Sequence, residues 1–262
     1  MEKNTPHKNH LDFLKTIRMY ELSLVSNFLP HIDLIAPKKN LLELGAGTGR
    51  QAKFFKDKGY NVIALDVKNS SYRNHREFEV IEYDGVNVPV EDDSQDIIFS
   101  SHVLEHVEEI EKLLIETNRI LADNGICIHL IPSAHCRFWT LLSHYIWFSR
   151  RIFRKLITIN SNEFHDIPNV PTTFNSWLWT ILPSRHGERG NFVSEIYFYT
   201  QRYWLKQFKK ANFEVIEVYK GQTFYTMANS LGNRIDLHIR KKISKIMGSA
   251  CYIYILKKKE NV

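Results

Sequence analysis

The segment LLELGAGTGR, residues 41–50, runs from a short apolar stretch into three alternating glycines. The residues that follow it, 51–55, have helical spacing of their apolar side chains. This pattern predicts a buried parallel strand, a tight turn and the start of a helix. Glycines in the turn allow positive φ angles and let a ligand approach the backbone, while the free N–H groups of a helix start attract negative charge. We therefore predict a nucleotide-type pocket at the carboxyl end of a strand.

The glycine spacing separates two classes of ligand. A dinucleotide-binding turn has the pattern G-x-G-x-x-G, but here Arg50 stands at the place of its third glycine and Gly49 comes one residue early. Glu43 precedes the glycines, and its carboxylate suits an ammonium group better than a pyrophosphate, which it would repel. S-adenosylmethionine carries an ammonium group and has no phosphate. A phosphate dinucleotide and a glycine turn that binds nothing are the alternatives.

This segment resembles the first motif of the class I S-adenosylmethionine-dependent methyltransferases. A second segment, HVLEHV at 102–107, resembles the one after strand four in small-molecule methyltransferases related to the ubiquinone and menaquinone biosynthesis enzymes. The pieces RILADNGICIHLIP (119–132) and ANFEV (211–215) are similar to two further family segments. The resemblance implies a doubly wound α/β fold with a mostly parallel, seven-stranded Rossmann-like sheet and S-adenosylmethionine as cofactor. It covers residues 38–135 and 198–258.

We interpret residues 1–262 as a single domain with four parts. Residues 1–37 show helical spacing and form an N-terminal cap, and residues 38–135 form the cofactor-binding core. Residues 136–197 are an insertion after strand five, rich in aromatic residues, histidine and proline, which we expect to act as a substrate lid. Residues 198–262 complete the sheet, whose last strand is antiparallel in the family. Apolar runs predict the intervening strands at 61–66, 78–83, 97–101 and 126–132, with a helix opening at His102.

The cofactor contacts follow from these positions. Asp66 ends the second predicted strand, and an acid about 20 residues beyond the glycines suits two hydrogen bonds to ribose hydroxyls. By resemblance, Asp84 accepts a hydrogen bond from the adenine amino group. A solvated strand end for Asp66 and a turn aspartate for Asp84 are the alternatives. The full predicted set is Glu43, Gly45, Ala46, Gly47, Gly49, Asp66, Val67, Asp84, Gly85 and Ser101.

A hydroxyl or acidic carbon that receives a methyl group must lose a proton, and histidine is the natural base near neutral pH. His186 is our first candidate, because the residues around it resemble methyltransferases of bacterial surface-polysaccharide gene clusters. His102 and His106 are the others, since i, i+4 spacing on the predicted helix places them on one face near the pocket. For each of the three, a hydrogen-bonded structural histidine is the alternative.

The same segment, read as His102-x-x-Glu105-His106, invites a metal site. It resembles the E-x-x-E-H site of metal-dependent quinone and small-RNA 2′-O-methyltransferases, with His102 in place of the first glutamate. Three such groups could hold a divalent ion. The string is also widespread in relatives that are not known to need a metal, so we predict no metal ion.

Composition limits the partners. The chain has 262 residues, 44% of them hydrophobic, three scattered cysteines and a net charge of +6, which fits a globular protein of a reducing compartment. The N-terminus has no apolar signal-peptide core, so we expect a cytoplasmic protein. Residues 138–155 are aromatic and then basic, which suits either a lid or a helix that touches the inner membrane face.

We expect the acceptor to be a small molecule or a saccharide of a surface glycan. A quinone or lipid-linked acceptor at the membrane, and a protein that binds the cofactor without catalysis, are alternatives. RNA is a third, which we do not favour because no recognisable RNA-binding module is present.

Overall fold

The computed structural model describes residues 6–29, 39–157, 181–183, 185–226 and 235–259. The strands are β1 (Asn40–Leu44), β2 (Asn61–Val67), β3 (Ile81–Tyr83), β4 (Gln95–Ser101), β5 (Leu121–Pro132), β6 (Phe213–Lys220) and β7 (Cys251–Lys258). The helices are α1 (Pro6–Val25), α2 (Arg50–Asp57), α3 (Ile110–Ile120), α4 (Ala134–Ile157), α5 (Glu195–Phe198), α6 (Gln201–Lys210) and α7 (Leu237–Met247). Two short 3₁₀ turns, Arg73–His75 and Leu104–His106, follow β2 and β4.

The strands form one sheet in the order β3-β2-β1-β4-β5-β7-β6. The pairs among β1 to β5 are parallel, and β7 runs antiparallel between β5 and β6. This arrangement confirms the predicted doubly wound α/β fold with a mostly parallel seven-stranded sheet. The strand order reverses between β1 and β4, and ligands bind at that switch point in open α/β sheets.

Both faces of the central strands are buried, which explains why β1 and β4 read as apolar runs instead of alternating patterns. Leu42, Leu44 and Ile98 pack into the core on one face. Leu41, Ile97 and Phe99 pack into a second core on the other, because successive side chains of a strand point to opposite sides. In the second core, the Phe55 ring of α2 contacts the Phe99 ring with centroids 4.9 Å apart. Helices therefore cover both faces and leave the carboxyl edge of the parallel strands for the site.

Two predicted elements differ in the structure. The sequence predicts the third strand at 78–83, but the strand covers only Ile81–Tyr83. Phe78 packs on the glycine turn instead, so that a Cβ added to Gly49 would lie 2.6 Å from the Cβ of Phe78. The prediction of a helix opening at His102 is wrong. His102 has a positive φ of 58°, Leu104–His106 form a 3₁₀ turn, and α3 begins only at Ile110.

The short connection after β2 agrees with the polar sequence there, since it contains only the 3₁₀ turn. Of the predicted insertion 136–197, the structure describes α4 and the segments around residues 181–183 and 185–197. In the part of the chain that is described, no helix combines the length and the apolar character needed to cross a membrane.

The buried His129 should make the free energy of unfolding depend on pH. It is fully buried in β5, where its Nδ1 lies 2.8 Å from the Ser100 hydroxyl, and burial lowers the pKa of His129 to about 3. An unfolded histidine has a pKa near 6.5. Below that pH the unfolded chain binds a proton that the folded chain does not, so the free energy of unfolding falls as the pH is lowered from about 6.5 towards about 3.

We expect His129→Asn to lower stability at pH 7.5 and to make this acid-induced decline shallower, because asparagine cannot gain the proton. Urea unfolding at pH 7.5, 6 and 5 measures both effects. His238→Asn, at an exposed position in α7, is the matched control and should keep the wild-type slope. An unchanged slope in His129→Asn would show that His129 is not held neutral by burial.

Candidate active site

The turn after β1 is built from glycines in the left-handed conformation. Gly45, Gly47 and Gly49 have φ angles of 69°, 57° and 74°. A Cβ on Gly45 would lie 2.3 Å from a methyl carbon of Val103, so the segment after β4 packs directly on the turn. A Cβ on Gly47 would instead face the Tyr72 ring at 3.4 Å, and both residues line an open cleft. The bare backbone at Gly47 is therefore accessible to a ligand.

The cleft has a volume of about 1130 Å³ and lies at the carboxyl ends of β1, β2 and β4. Eight of the ten predicted cofactor residues line it, namely Gly45, Ala46, Gly47, Asp66, Val67, Asp84, Gly85 and Ser101. His102 and His106 line it as well. Glu43, Gly49 and His186 do not line it. Pockets for single drug-sized ligands range from about 300 to 1,000 Å³, so this cleft has room for a cofactor and part of an acceptor.

Asp66 connects the end of β2 to the glycine turn. Its Oδ2 accepts a hydrogen bond from the Gly47 N–H at 3.1 Å, and its Oδ1 accepts one from the Val67 N–H at 2.9 Å. The residue is only 7% exposed, yet it borders the cleft. A carboxylate oxygen can accept more than one hydrogen bond, so each oxygen retains capacity for a hydroxyl donor. Asp66 thus shapes the turn and can bind a ligand.

Asp84 is engaged in its own turn. Its Oδ1 accepts hydrogen bonds from the Val86 and Asn87 N–H groups at 2.8 and 2.7 Å, and its Oδ2 accepts one from the Asn87 side-chain amide. The Asn87 amide and these backbone donors lower the pKa of Asp84. These contacts are those of a turn aspartate, which was the alternative interpretation of Asp84. The residue also borders the cleft.

Glu43 and Gly49 lie behind the cleft wall. Glu43 is 1% exposed and accepts a hydrogen bond from the backbone of Ala52 in the first turn of α2. Burial, opposed by that bond and reinforced by Asp66, raises the pKa of Glu43 to about 8. The side chain lies under the turn, where the backbone of Ala52 bonds to it. It is placed to support the glycine turn, and its Oε2 has no hydrogen-bond partner among the described residues, so the contact with an ammonium group stays a prediction. Gly49 is covered by Phe78.

Ser101 offers the cleft an unsatisfied polar atom. It ends β4 and borders the cleft, and its buried Oγ has no hydrogen-bond partner among the described residues. A buried hydroxyl without a partner costs free energy unless a ligand or water satisfies it. This group fits the polar end of a bound molecule.

The N-terminal helix supplies residues that the sequence analysis did not single out. Lys15, Arg18 and Met19 of α1 line the cleft. An Arg18 Nη1 donates to Glu21 at 2.8 Å, which holds the guanidinium beside the cleft. The spacing of α1 indicates a helix, but it does not indicate which turn of the helix faces a ligand. Two cationic side chains therefore border the cleft, of which Arg18 is paired with Glu21.

His102 belongs to a buried polar network and not to one face of a helix. Its Nε2 lies 3.2 Å from a Glu21 oxygen and 3.3 Å from the Tyr225 hydroxyl, which donates to the other Glu21 oxygen. Burial and the charge of Arg18 lower the pKa of His102 to about 4, although Glu21 opposes them. The ring therefore links α1 to β4, and its ring nitrogen toward Glu21 is already occupied.

His106 and His186 come together from distant parts of the sequence. Their ring centroids are 4.9 Å apart at an angle of 63°, and both side chains are partly exposed to solvent. Burial lowers the pKa of His106. Burial and the neighbouring His106 lower the pKa of His186. Both imidazoles are accordingly neutral at pH 7. His186 stands beside the cleft, at the end where His106 lines it.

The segment 185–191 is fixed by a buried ion pair. Arg137 of α4 and Glu195 of α5 are 2% and 0% exposed, and Arg137 Nε lies 2.7 Å from Glu195 Oε2. The same carboxylate accepts hydrogen bonds from the backbone N–H groups of His186 and Gly187. This arrangement sets the position of the His186 backbone.

The segment also binds the 3₁₀ turn after β4. The Glu188 N–H donates to the Glu105 carbonyl at 3.1 Å, and Arg189 donates to the carbonyls of Leu104 and Val107. A Cβ on Gly187 would lie 2.7 Å from the Glu105 carbonyl oxygen, so only glycine allows this approach. The insertion therefore contributes a wall next to His106.

A family model described as a methyltransferase domain matches residues 17–218, more than half of the chain. The chain belongs to this methyltransferase family. An uncharacterized protein of Methanocaldococcus jannaschii is 34% identical over 91 residues, which is 34% of this chain and 42% of the relative. A malonyl-[acyl-carrier protein] O-methyltransferase of Serratia marcescens is 28% identical over 96 residues, 35% of this chain and 38% of the relative. The chain thus spans about two fifths of the length of these relatives.

Solved structures share its fold. A chain of the Haloferax volcanii complex that contains the Trm112 methyltransferase activator is 13% identical, with a TM-score of 0.56 over 95% of this chain and 93% of its own. An S-adenosylmethionine-dependent methyltransferase of Mesorhizobium loti is 12% identical, with a TM-score of 0.54 over 91% and 98%. One of Methanosarcina mazei is 15% identical, with a TM-score of 0.53 over 91% and 98%. At these identities the likeness concerns the fold alone.

Proposed function

We propose that this methyltransferase transfers the methyl group of S-adenosylmethionine to an oxygen of a small polar acceptor, such as a saccharide hydroxyl of a surface glycan. The observation that carries the proposal is one cleft with two different ends. One end has the glycine turn, Asp66 and the unsatisfied Ser101 hydroxyl. The other end has His106, beside His186. The O-methyltransferase named among the relatives supports oxygen as the accepting atom.

The cofactor end fits S-adenosylmethionine group by group. Asp66 would accept hydrogen bonds from the ribose hydroxyls, and the wall at Asp84 and Gly85 would contact the adenine. Ser101 Oγ and the backbone at Gly45 would bind the ammonium, while Lys15 and Arg18 would bind the carboxylate of the methionine part. Bound S-adenosylmethionine supplies a methyl group on a sulfonium, which is already activated for displacement. The chain therefore has mainly to hold an acceptor oxygen in line.

The acceptor end can handle the proton. His106 and His186 are both neutral at pH 7, because burial lowers the pKa of each; the pKa of His186 falls to about 3, so His106 is the stronger base of the two. A neutral imidazole within hydrogen-bond reach of a hydroxyl can receive its proton as the oxygen attacks. His102 is the weaker of the three predicted candidates for this role, because its ring already contacts Glu21 and Tyr225.

The acidic side chains that line the cleft near His106 favour a polar acceptor that carries few phosphate groups. Glu108, Glu109 and Glu188 border the cleft near His106. Glu109 pairs with Lys112 and Glu188 with Arg185, so this group carries a small net negative charge and does not attract the phosphate backbone of RNA, whose binding depends on cationic side chains. They are compatible with neutral hydroxylated molecules. A saccharide is therefore the acceptor class that we favour over RNA.

Replacement of His186 by alanine tests the acceptor end. We expect His186→Ala to lower kcat about 100- to 10,000-fold, the usual contribution of a proton-transfer group, with the affinity for S-adenosylmethionine unchanged. The assay measures transfer of a labelled methyl group to a panel of neutral saccharides and glycans. His238→Ala, in α7, is the control and should behave as wild type. Full activity of His186→Ala would contradict this assignment.

A peripheral membrane enzyme with a lipid-linked acceptor is a second candidate, which one surface feature favours. Helix α4 exposes apolar side chains, including Phe138, Ile146 and Phe153 at 50%, 53% and 65%. Helix α7 contacts α4 through a hydrogen bond from Trp139 Nε1 to the Met247 carbonyl, and it exposes Ile246 at 90% among lysines. Apolar and cationic groups together suit an anionic bilayer.

Co-sedimentation with vesicles of anionic and of zwitterionic lipid tests this candidate. A peripheral enzyme should pellet with the anionic vesicles only, and Ile246→Glu should release it. An enzyme that stays in the supernatant with both would favour a freely diffusing acceptor.

A further inference from the structure

Glu105, His106 and His186 form a cluster of metal-ligating groups. Each offers one ligand atom, and the three atoms lie within 4.8 Å of one another. Glu105 Oε1 is 3.9 Å from His106 Nε2. This set differs from the one that the sequence suggests, because His102 points to Glu21 and the insertion contributes His186 instead. The expectation of no metal was formed without His186.

The Glu105 carboxylate is a buried polar group without a partner in the described part of the chain. Its side chain is 2% exposed, and neither of its oxygens has a hydrogen-bond partner among the described residues. Burial of a carboxylate without donors is costly, and such groups are normally paired, protonated or bound to a metal. The nearest titratable neighbours of Glu105 Oε1 include His102 Nδ1 at 3.8 Å and His106 Nε2 at 3.9 Å, both beyond hydrogen-bonding distance.

We propose that Glu105, His106 and His186 bind one divalent first-row transition-metal ion, of which zinc is the type, at the acceptor end of the cleft. Two imidazole nitrogens and one carboxylate oxygen are a donor set that zinc and its neighbours take in catalytic sites, with further positions left open. His106 borders the cleft, so an open position of the ion would face it.

The surrounding contacts hold the three ligands as a rigid frame. The Arg137–Glu195 ion pair fixes the backbone of His186. The Glu188 N–H and Arg189 fix the 3₁₀ turn that carries Glu105 and His106. Partners of this kind orient ligands, and their loss typically costs 10- to 100-fold in metal affinity.

The ion would change how the acceptor loses its proton. With the ion bound, the lone pairs of both imidazoles are committed to it, so the ion would replace the histidines as the group that activates the acceptor hydroxyl. An acceptor hydroxyl at an open position would release its proton to water more readily, because the cation stabilises the resulting alkoxide. This role in methyl transfer rests on the proposed function, whereas binding of the ion does not.

The test measures the metal directly. Protein stripped with a chelator is titrated with Co²⁺, whose visible absorption reports coordination, and with Zn²⁺ by calorimetry. We expect one ion per chain. His186→Ala and the isosteric Glu105→Gln should each weaken binding by more than about 100-fold, since even outer-shell partners contribute up to that much. His238→Ala should bind as wild type, and circular dichroism checks that each variant is folded.

Two results would overturn the proposal. Wild-type protein that takes up no ion would do so, and so would stoichiometric binding that survives both His186→Ala and Glu105→Gln. A parallel titration with S-adenosylmethionine shows whether the methyltransferase function fails at the same time. Cofactor binding without metal binding would overturn the metal site and leave the proposed function intact.

Discussion

Replacement of Asp66 by alanine should weaken binding of S-adenosylmethionine about 100-fold. The carboxylate accepts hydrogen bonds from the Gly47 and Val67 N–H groups, so its loss frees the glycine turn as well as the two ribose hydroxyls that we propose it binds. A hydrogen bond to a charged group contributes about 1.5–3 kcal/mol, and every 1.4 kcal/mol is tenfold in affinity. Loss of two such bonds to the ligand, at about 1.5 kcal/mol each, accounts for the expected effect. Calorimetric titration measures it.

Two variants control for this result. Asp57→Ala removes an exposed carboxylate at the end of α2 and should bind the cofactor as wild type does. Asp66→Asn keeps an acceptor oxygen and should lie between wild type and Asp66→Ala. Cofactor binding by Asp66→Ala that equals the wild type would show that the ribose lies elsewhere.

Replacement of Glu195 by alanine should lower the free energy of unfolding by about 3–5 kcal/mol, because it removes the carboxylate that balances the buried charge of the Arg137 guanidinium. For a chain of this size, each kcal/mol lowers the melting temperature by about 2–4 °C, so a fall of roughly 6–20 °C is expected. The variant also frees the backbone N–H groups of His186 and Gly187 and should therefore lose methyl transfer. Thermal and urea unfolding measure the stability, and the labelled-methyl assay measures the activity.

A surface ion pair gives the matched comparison. Glu111 pairs with Lys210, and their side chains are 57% and 48% exposed. Glu111→Ala should cost less than about 1 kcal/mol, because exposed pairs contribute little. Equal, small effects of Glu195→Ala and Glu111→Ala would contradict the view that the buried pair anchors the segment 185–191.

The sequence predicts those parts of the molecule that depend on neighbouring residues. The glycine turn, the apolar runs of β1 and β4 and the acid at the end of β2 are local patterns, and all of them lie in the structure where they were predicted. The antiparallel last strand followed from the family resemblance, and β7 confirms it.

The remaining features depend on contacts between distant residues. The spacing of His102 and His106 fits a helix. In the structure, however, His102 adopts a left-handed backbone conformation. In that conformation its N–H donates to the Leu130 carbonyl, and Val103 packs on Gly45. The Glu43 side chain lies under the glycines, where the backbone of Ala52 in α2 bonds to it. This contact depends on the fold and not on the local sequence pattern.

The acceptor end was the hardest part to predict. His186 reaches His106 only because Glu195 and Arg137 fix the path of the insertion. No spacing in the sequence encodes the distance between residues 106 and 186. The residues of α1 at the cleft could not be predicted for a similar reason, since helical spacing does not specify which face of the helix meets a ligand.

Calorimetric titration of the wild-type protein with S-adenosylmethionine, with its demethylated product and with NAD tests the central claim most directly. Micromolar binding of the first two and no binding of NAD is the predicted result, because the glycine turn and Asp66 suit a nucleoside without a pyrophosphate. Binding of NAD by the folded protein, or failure to bind S-adenosylmethionine and its product, would contradict the assignment of the cleft.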